Sequence, residues 1–340
     1  IARGKKMSSV KVGTTNLDGT GSSANLVSEH EILDGIGQAT DYDAKISNQS
    51  IDVEATGWNA VGEKEVKVDG ENVDVYAKNF VDADIDLSDS SLGVSVSLLY
   101  SKRGQIQTGD GDDTVNVAVQ TNNGGWSNLF TVDTGAGNDT VKFFNEANSQ
   151  FTSVDLMTGE GNDIINLSGL DENANSSVTR KVDAGEGNDI VAGSVGADIL
   201  DGGAGADIIT GLGGNDVIFY DENDIAVFGG DGLDALVVTG NKDTTIGNNF
   251  AGFEAIVGEA ETAQDLRVNL QDGLVIALGN DDGDEVSFNQ DVSFTAVSQD
   301  LTAEQASLLE ASGMADAALQ AYETVYMGET VTVWSDTELV

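Results

Sequence analysis

Hydrophobic and polar residues alternate over much of the first third of the chain. "SIDVEAT" (50–56), "KEVKVDGENVDVYA" (64–77) and "VDADIDLSDSSLGVSVSLLY" (81–100) carry the period of two that marks half-buried strands. From residue 108 the pattern changes: short apolar runs alternate with turns rich in Gly and Asp. Aligned on Asp, the segments are "TGDGDDTVN" (108–116), "TGAGNDTVK" (134–142), "TGEGNDIIN" (158–166), "AGEGNDIVA" (184–192), "GSVGADILD" (193–201), "GGAGADIIT" (202–210), "GLGGNDVIF" (211–219), "YDENDIAVF" (220–228) and "GGDGLDALV" (229–237). From 184 to 237 these are six nonapeptides in unbroken register, one of them degenerate. A fixed internal period of this kind predicts stacked coils.

Each unit divides into a six-residue turn and a three-residue strand, with a Val, Ile or Leu two residues after the Asp pointing into a core. The turn glycines, Gly109, Gly111, Gly135, Gly137, Gly159, Gly161, Gly185, Gly187, Gly203, Gly205, Gly211, Gly213, Gly230 and Gly232, permit positive φ and leave backbone carbonyls open around the turn. The Asp adds a carboxylate. Oxygen donors with no soft ligand nearby make a calcium environment. Asp and Gly also favour turns without any metal, but nine related units weigh toward a cation.

Spacing sorts the aspartates. Asp113, Asp139, Asp163 and Asp189 are 26, 24 and 26 residues apart, and Asp207 follows 18 later. Each longer interval reads as one wider coil, with a calcium turn on one side and a loop on the other: "QTNNGGWSN" (120–128), "NEANSQ" (145–150) and "DENANSS" (171–177). On that reading Asp113, Asp139, Asp163, Asp189 and Asp207 form one column, and Asp198, Asp216 and Asp234 the opposite one. In the degenerate unit strict register puts Ile225 at the Asp position. A slip of one residue puts Asp224 there instead and restores the Asn-Asp pair, and is preferred.

The units resemble the RTX nonapeptide repeat of type I-secreted bacterial proteins, G-G-x-G-x-D-x-U-x, closely over 184–237 and as single units over 108–166. The resemblance implies an all-β chain built as a right-handed parallel β-roll, two nonapeptides to a coil, holding several Ca2+ ions. It also implies export through a type I exporter. The C-terminal "GETVTVWSDTELV" (328–340), acidic and then apolar, is similar to the uncleaved signals of that route.

Around the roll, residues 1–49 are expected to be irregular or an interaction edge. Residues 50–107 run into the repeat with no linker and are expected to be metal-free coils rather than a separate β domain. The roll itself is assigned to 108–240, and a capping region with the export signal to 241–340. Within the last, "NNFAGFEAIVGEA" (248–260) and "DLRVNLQDGLVIALGN" (265–280) read as strands closing the roll. "NDDGDEVSFN" (280–289) spaces its acids like a cation loop without the full EF-hand pattern. "LTAEQASLLEASGMADAALQAYETVYM" (301–327) is the clearest helical segment, opened by a capping box at Thr302 and Gln305 and interrupted or ended in its first part by Gly313.

Composition sharpens the picture. The 340 residues carry 59 Asp and Glu against 15 Lys and Arg, a net charge of −44. Such a chain repels nucleic acid and anionic membranes and attracts cations. After Lys181 only Lys242 and Arg267 are basic, so salt bridges cannot neutralise the second half. There is no Cys, which excludes disulfides and thiolate sites, and no Pro, which fits continuous strand stacking and equally a skewed composition. No run reaches the length of a membrane helix. The first residues, "IARGKKMSSVKVG", lack the apolar core of a Sec-type signal, and Met7 would make a natural start.

Catalytic motifs are missing. His30 is the single histidine, no G-x-S-x-G frames a nucleophile, and H-E-x-x-H is impossible. "GTGSSA" (19–24) lacks the strand-helix frame of a phosphate loop. Three classes of function remain: a secreted structural protein that self-associates into a layer, filament or matrix; an adhesin or an ice- or glycan-binding module, with Thr134 and Thr158, and Asn138 and Asn162, aligned in rows; or the non-catalytic part of a secreted toxin or enzyme. The first is preferred, as a homo-oligomer or polymer that neither binds nucleic acid nor inserts into membranes.

Overall fold

The computed structural model describes residues 9–12, 15–18, 42–46, 50–55, 65–69, 71–80, 82–119, 128–145, 152–171, 178–239, 244–245, 250–258, 265–268, 273–278, 285–312, 314, 318–337 and 339. Met7, His30, "GTGSSA", nearly all of the three loops of the wide coils, Gly313 and the first half of "NDDGDEVSFN" lie outside the described residues. The chain is a parallel β-solenoid divided into two compact units, Ile1–Gly187 and Asn188–Val340.

In the first unit the chain alternates between two parallel sheets. One stacks Glu65–Asp69, Asp82–Ser90, Arg103–Asp110, Asn128–Ala136, Thr152–Glu160 and Arg180–Glu186 in sequence order. The other stacks Ser50–Ala55, Asp74–Lys78, Ser95–Ser101, Thr114–Val119, Thr140–Asn145 and Ile164–Gly169. Because side chains alternate between faces, inward positions form unbroken columns through the core. Ile85, Ile106, Val132, Leu156 and Val182 are successive register partners, all without solvent exposure. Gly104 leaves the space that Phe130 and Leu98 fill: a Cβ there would stand 2.6 Å from Leu98 Cδ2 and 3.1 Å from Phe130 Cδ1. Phe130 then meets Phe143 edge to face at 5.8 Å.

Residues 1–49, expected to be irregular or an edge, include three strands among their described residues. Ser9–Val12 and Thr15–Asp18 form a hairpin that adds antiparallel to Glu65–Asp69, and Tyr42–Ile46 adds antiparallel to Ser50–Ala55. Their short alternations are drowned in Ser-, Gly- and Asn-rich sequence, and only pairing to the edge reveals them.

In the second unit Ile199–Asp201, Val217–Tyr220, Ala235–Val238, Ala255–Gly258 and Val275–Ala277 stack in parallel, opposite Ile190–Ala192, Ile208–Gly213, Ala226–Asp231 and Phe250–Ala251. A third, small sheet joins Thr244–Thr245, Asp265–Val268 and Glu285–Phe288. "ALVV", "AIVG" and "VIA" are apolar throughout because both their faces are buried. Leu308 and Leu309 of the helix Ala303–Ala311 belong to the core cluster that holds Val237, Val257 and Val275. The capping box at Thr302 and Gln305 is formed, and Gln305 Nε2 also donates to Gly273 O at 2.8 Å. The expected helix over 301–327 is otherwise overturned. After Ser312 the chain turns into the strand Gln320–Tyr326, where Tyr322, Thr324 and Tyr326 bring aromatic and β-branched residues at period two. That strand pairs antiparallel with Glu329–Ser335, which joins the stack beside Val275–Ala277.

Phe130→Ala removes a fully buried ring and should cost roughly 3–5 kcal/mol of unfolding free energy, read from urea denaturation at saturating calcium.

Candidate metal centres

The repeats end their turns with buried acids. Asp113, Asp139, Asp163, Asp189, Asp198, Asp207, Asp216 and Asp234 are all at most 2% exposed. One carboxylate oxygen of each such acid can be spent within the protein, as a rung between coils. In the first unit Val94 N donates to Asp113 Oδ1 at 2.7 Å, Asp113 N to Asp139 Oδ1 at 2.8 Å and Asp139 N to Asp163 Oδ1 at 2.7 Å. In the second, Asp189 N donates to Asp207 Oδ1 at 2.8 Å. On the opposite side Asp198 N donates to Asp216 Oδ1 and Asp216 N to Asp234 Oδ1, both at 2.8 Å. These are charge-assisted hydrogen bonds, repeated once per coil.

The degenerate unit divides: its strand keeps the strict register, Ile208 pairing with Ala226, while in its turn Asp224 rather than Ile225 faces the preceding coil. Asp224 Oδ1 accepts from Asp207 N at 3.4 Å, while Ile225 is half exposed. Glu254, which motif reading missed, takes the rung after Asp234: its Oε2 accepts from Asp234 N at 2.9 Å. It lies 20 residues on rather than 18, and the longer side chain spans the longer coil. Hydrophobic residues end both ladders. Val94 precedes Asp113, and Leu274 follows Glu254, its neighbour Val275 being the register partner of Ala255.

Glycine forms the walls. Gly135 and Gly137 have φ of 93° and 139°, and a methyl on either would overlap the carbonyl oxygen of its counterpart one coil back, Gly109 or Gly111. Gly111, Gly137 and Gly161 donate to Ala136, Glu160 and Glu186 carbonyls at 2.6–2.7 Å, which locks the turns of successive coils together. One unit departs from the expected positions. In 211–219 the left-handed backbone falls on Leu212 (φ 76°) and Gly214 (φ 113°), not on Gly211 and Gly213. Counting back from Asp216 gives this register; the adjacent glycines suggested the other. Gly211 has a different use, since a Cβ there would strike the Asp216 carboxylate.

The expected rows also change. Thr108, Thr134 and Thr158 are buried, so no threonine row faces a ligand. Their hydroxyls donate to the carbonyls of Thr134, Thr158 and Ala184 at 3.0, 3.3 and 2.9 Å. Asn138 and Asn162 are outside: Asn138 Nδ2 donates to Asp112 Oδ1 and Asn162 Nδ2 to Asn138 Oδ1, each at 3.0 Å. The Asn138 backbone N–H, which donates to Asp112 Oδ1 at 2.8 Å, and then its Nδ2 hold Asp112 below the usual carboxylate range.

What the turns lack is a partner for the second oxygen. Oδ2 of Asp113, Asp139, Asp207 and Asp234 is buried and accepts no hydrogen bond. Burial therefore pushes these carboxyls up, Asp139 and Asp234 to about 6, and with the neighbouring acids it takes Asp224 to about 7. Among the described residues no three acidic or imidazole side chains converge. A cation held here would take single carboxylates together with backbone carbonyls. Buried oxygen without a donor, walled by glycine and free of sulfur and nitrogen ligands, fits a hard divalent ion.

The family model for the RTX calcium-binding nonapeptide repeat, in four copies, matches residues 183–218. That match, together with the stacked parallel coils, supports an RTX β-roll protein. RTX nonapeptide repeats bind calcium ions, and their solenoid is a structural rather than a catalytic type of fold. No curated protein and no solved structure matches the chain.

The roll's acids set a pH dependence. Their pKa is raised on folding, so the stability they contribute is fully present below 3.8 and is lost as pH rises through about 6 to 7. In EGTA the melting temperature should fall across that window, and scanning calorimetry at several pH values measures it. A rise would contradict the assignment of unpartnered buried carboxylates.

Proposed function

We propose that this is a secreted structural protein whose roll is ordered by calcium outside the cell and then self-associates into a layer, filament or matrix. Residues 108–240 are the calcium-binding roll, 50–107 its metal-free coils, and 241–340 a capping region that carries the export signal. Asp113, Asp139 and Asp163, Asp189, Asp207 and Asp224, and Asp198, Asp216 and Asp234 supply carboxylates, with turn carbonyls between them. The observation that carries this reading is the buried Oδ2 of Asp113, Asp139, Asp207 and Asp234, which accepts no hydrogen bond.

A calcium ion bound there would supply the missing positive charge. The chain itself provides the rungs, the glycine walls and the exclusion of water. Without the ion, like charges one coil apart oppose stacking, and a loosened chain suits passage through a narrow exporter. Outside, calcium binds the folded state alone and draws the equilibrium toward it. No reaction is assigned to the chain in this reading.

Lateral contact is the favoured route to self-association. Ile190 and Ile208 are register partners on the outer face of one sheet, 48% and 39% exposed, and Phe228 lies on the same face. Antiparallel strands already occupy the first unit's N-terminal sheet edges and one C-terminal edge in the second, which disfavours end-to-end growth there.

On calcium addition to the EGTA-treated chain, strand content by circular dichroism should rise. Asp207→Ala should raise the calcium midpoint about tenfold, equivalent to about 1.4 kcal/mol, whereas Asp155→Ala, on an outward strand position, should leave it unchanged. Equal shifts would remove the ligand assignment. Sedimentation and negative-stain microscopy should show assemblies with calcium that dissolve in EGTA. Monomers in both conditions would leave an ordered roll without the self-association.

A further inference from the structure

Most of the turns fall into two chemical classes, the exceptions being those of Asp189, with Ala184 at the deciding position, and Asp224, with Phe219. Five residues before the aspartate, the wide coils carry Thr108, Thr134 and Thr158, and the tight coils carry Gly193, Gly202, Gly211 and Gly229. In the tight coils that glycine makes room for the acid: a Cβ on Gly202 or Gly229 would lie 2.5 Å from Oδ2 of Asp207 or Asp234. Neither of those two oxygens accepts a hydrogen bond. In the wide coils a hydroxyl stands in the same place. Each threonine has two acceptors within reach, the carbonyl of the next coil and the carboxylate of its own turn, Asp113, Asp139 or Asp163.

A hydroxyl has one proton and rotates to place it. Thr108 and Thr134 Oγ1 stand 3.0 and 3.3 Å from the neighbouring carbonyls, and each hydroxyl also bears on the carboxylate of its own turn, Asp113 or Asp139, so one proton must serve two acceptors. Donation to the carbonyl suits a carboxylate whose charge is met by a cation. When no cation is present the charged carboxylate is the stronger acceptor, and a charge-assisted bond is about twice as strong as a neutral one. Elsewhere in the chain side chains do similar work without metal. Asn72 Oδ1 accepts from Ser91 N and Leu92 N at 3.0 Å in a coil with no ladder acid, and Ser194 Oγ lies 2.9 Å from Asp198 Oδ2.

We propose that Thr108, Thr134 and Thr158 stand in for calcium, each turning its proton onto the aspartate of its own turn when the ion is absent and back to the neighbouring carbonyl when it is bound. The inference rests on the calcium reading given above. The wide coils thereby stay ordered at calcium concentrations at which the turns of Asp207 and Asp234 open. Folding on calcium uptake is then graded along the chain, with the threonine-bearing coils standing before the glycine-bearing ones.

Hydrogen exchange of the full chain tests this directly. The amides of Asp113 and Asp139 donate to Asp139 and Asp163, which have a threonine beside them; those of Asp189 and Asp216 donate to Asp207 and Asp234, which do not. In EGTA the first pair should exchange at least tenfold more slowly than the second, and in saturating calcium the gap should close. Thr134→Val should erase the protection of the Asp113 amide in EGTA while sparing it in calcium, and Thr134→Ser should restore it. Equal exchange of the two pairs in EGTA, with protection of both by calcium, would overturn the proposal and leave the calcium sites standing. Exchange that calcium alters nowhere would remove the calcium reading and the proposal together.

Discussion

One hydrogen bond governs this molecule: a backbone N–H of one coil donating to the carboxylate of the next. It repeats at 2.7–2.8 Å along both acid ladders wherever an aspartate is spaced by a regular coil. Each rung fixes the register of two turns and uses half of a carboxylate. In Asp113, Asp139, Asp207 and Asp234 the other half is left buried without a hydrogen-bond donor. Low dielectric strengthens repulsion between such charges as much as it strengthens the bond. Glycine walls follow from it, because nothing with a Cβ lets two turns approach so closely. So do the endings at Val94 and Leu274, where a buried apolar residue occupies the rung position.

The tandem repeat made the columns readable before any coordinates, since intervals of 26, 24 and 18 residues have a simple meaning once each coil closes on the same aspartate. Asp224 was readable too, through its preceding Asn. Glu254 was not, because it combines a different acid with a coil two residues longer and lacks the first turn glycine. Leu212 was hidden by the adjacent glycines of its unit, which imitate the motif one position early. The strand Gln320–Tyr326 was masked by Ala-rich neighbours whose helical preference ends at Ser312. The burial of Thr108, Thr134 and Thr158 could not be seen at all, for a hydroxyl reads as surface until its partner carbonyl is known.

The second unit manages its boundary differently from its repeats. Its later strands are apolar on both sides because the helix Ala303–Ala311 and the strands that follow cover the outer face. Gln305 joins that cover to the solenoid through Gly273, using the same side chain that caps the helix. Covering a sheet in this way protects apolar surface and edges that would otherwise template pairing with another chain. Outward residues left uncovered, Ile190, Ile208 and Phe228 among them, are correspondingly conspicuous.

Rung length does not follow coil length. Coils of 26, 24, 18 and 20 residues all close to contacts of 2.7–2.9 Å. The ladder thus behaves as a hinge pin, indifferent to how much chain swings round the far side. Lengthening such an excursion costs only about 0.6 kcal/mol for each doubling. In the wide coils, where a loop and not a second acid turn lies opposite the pin, insertions and deletions are therefore nearly neutral, and a foreign epitope grafted there would ride on a scaffold that barely registers its presence.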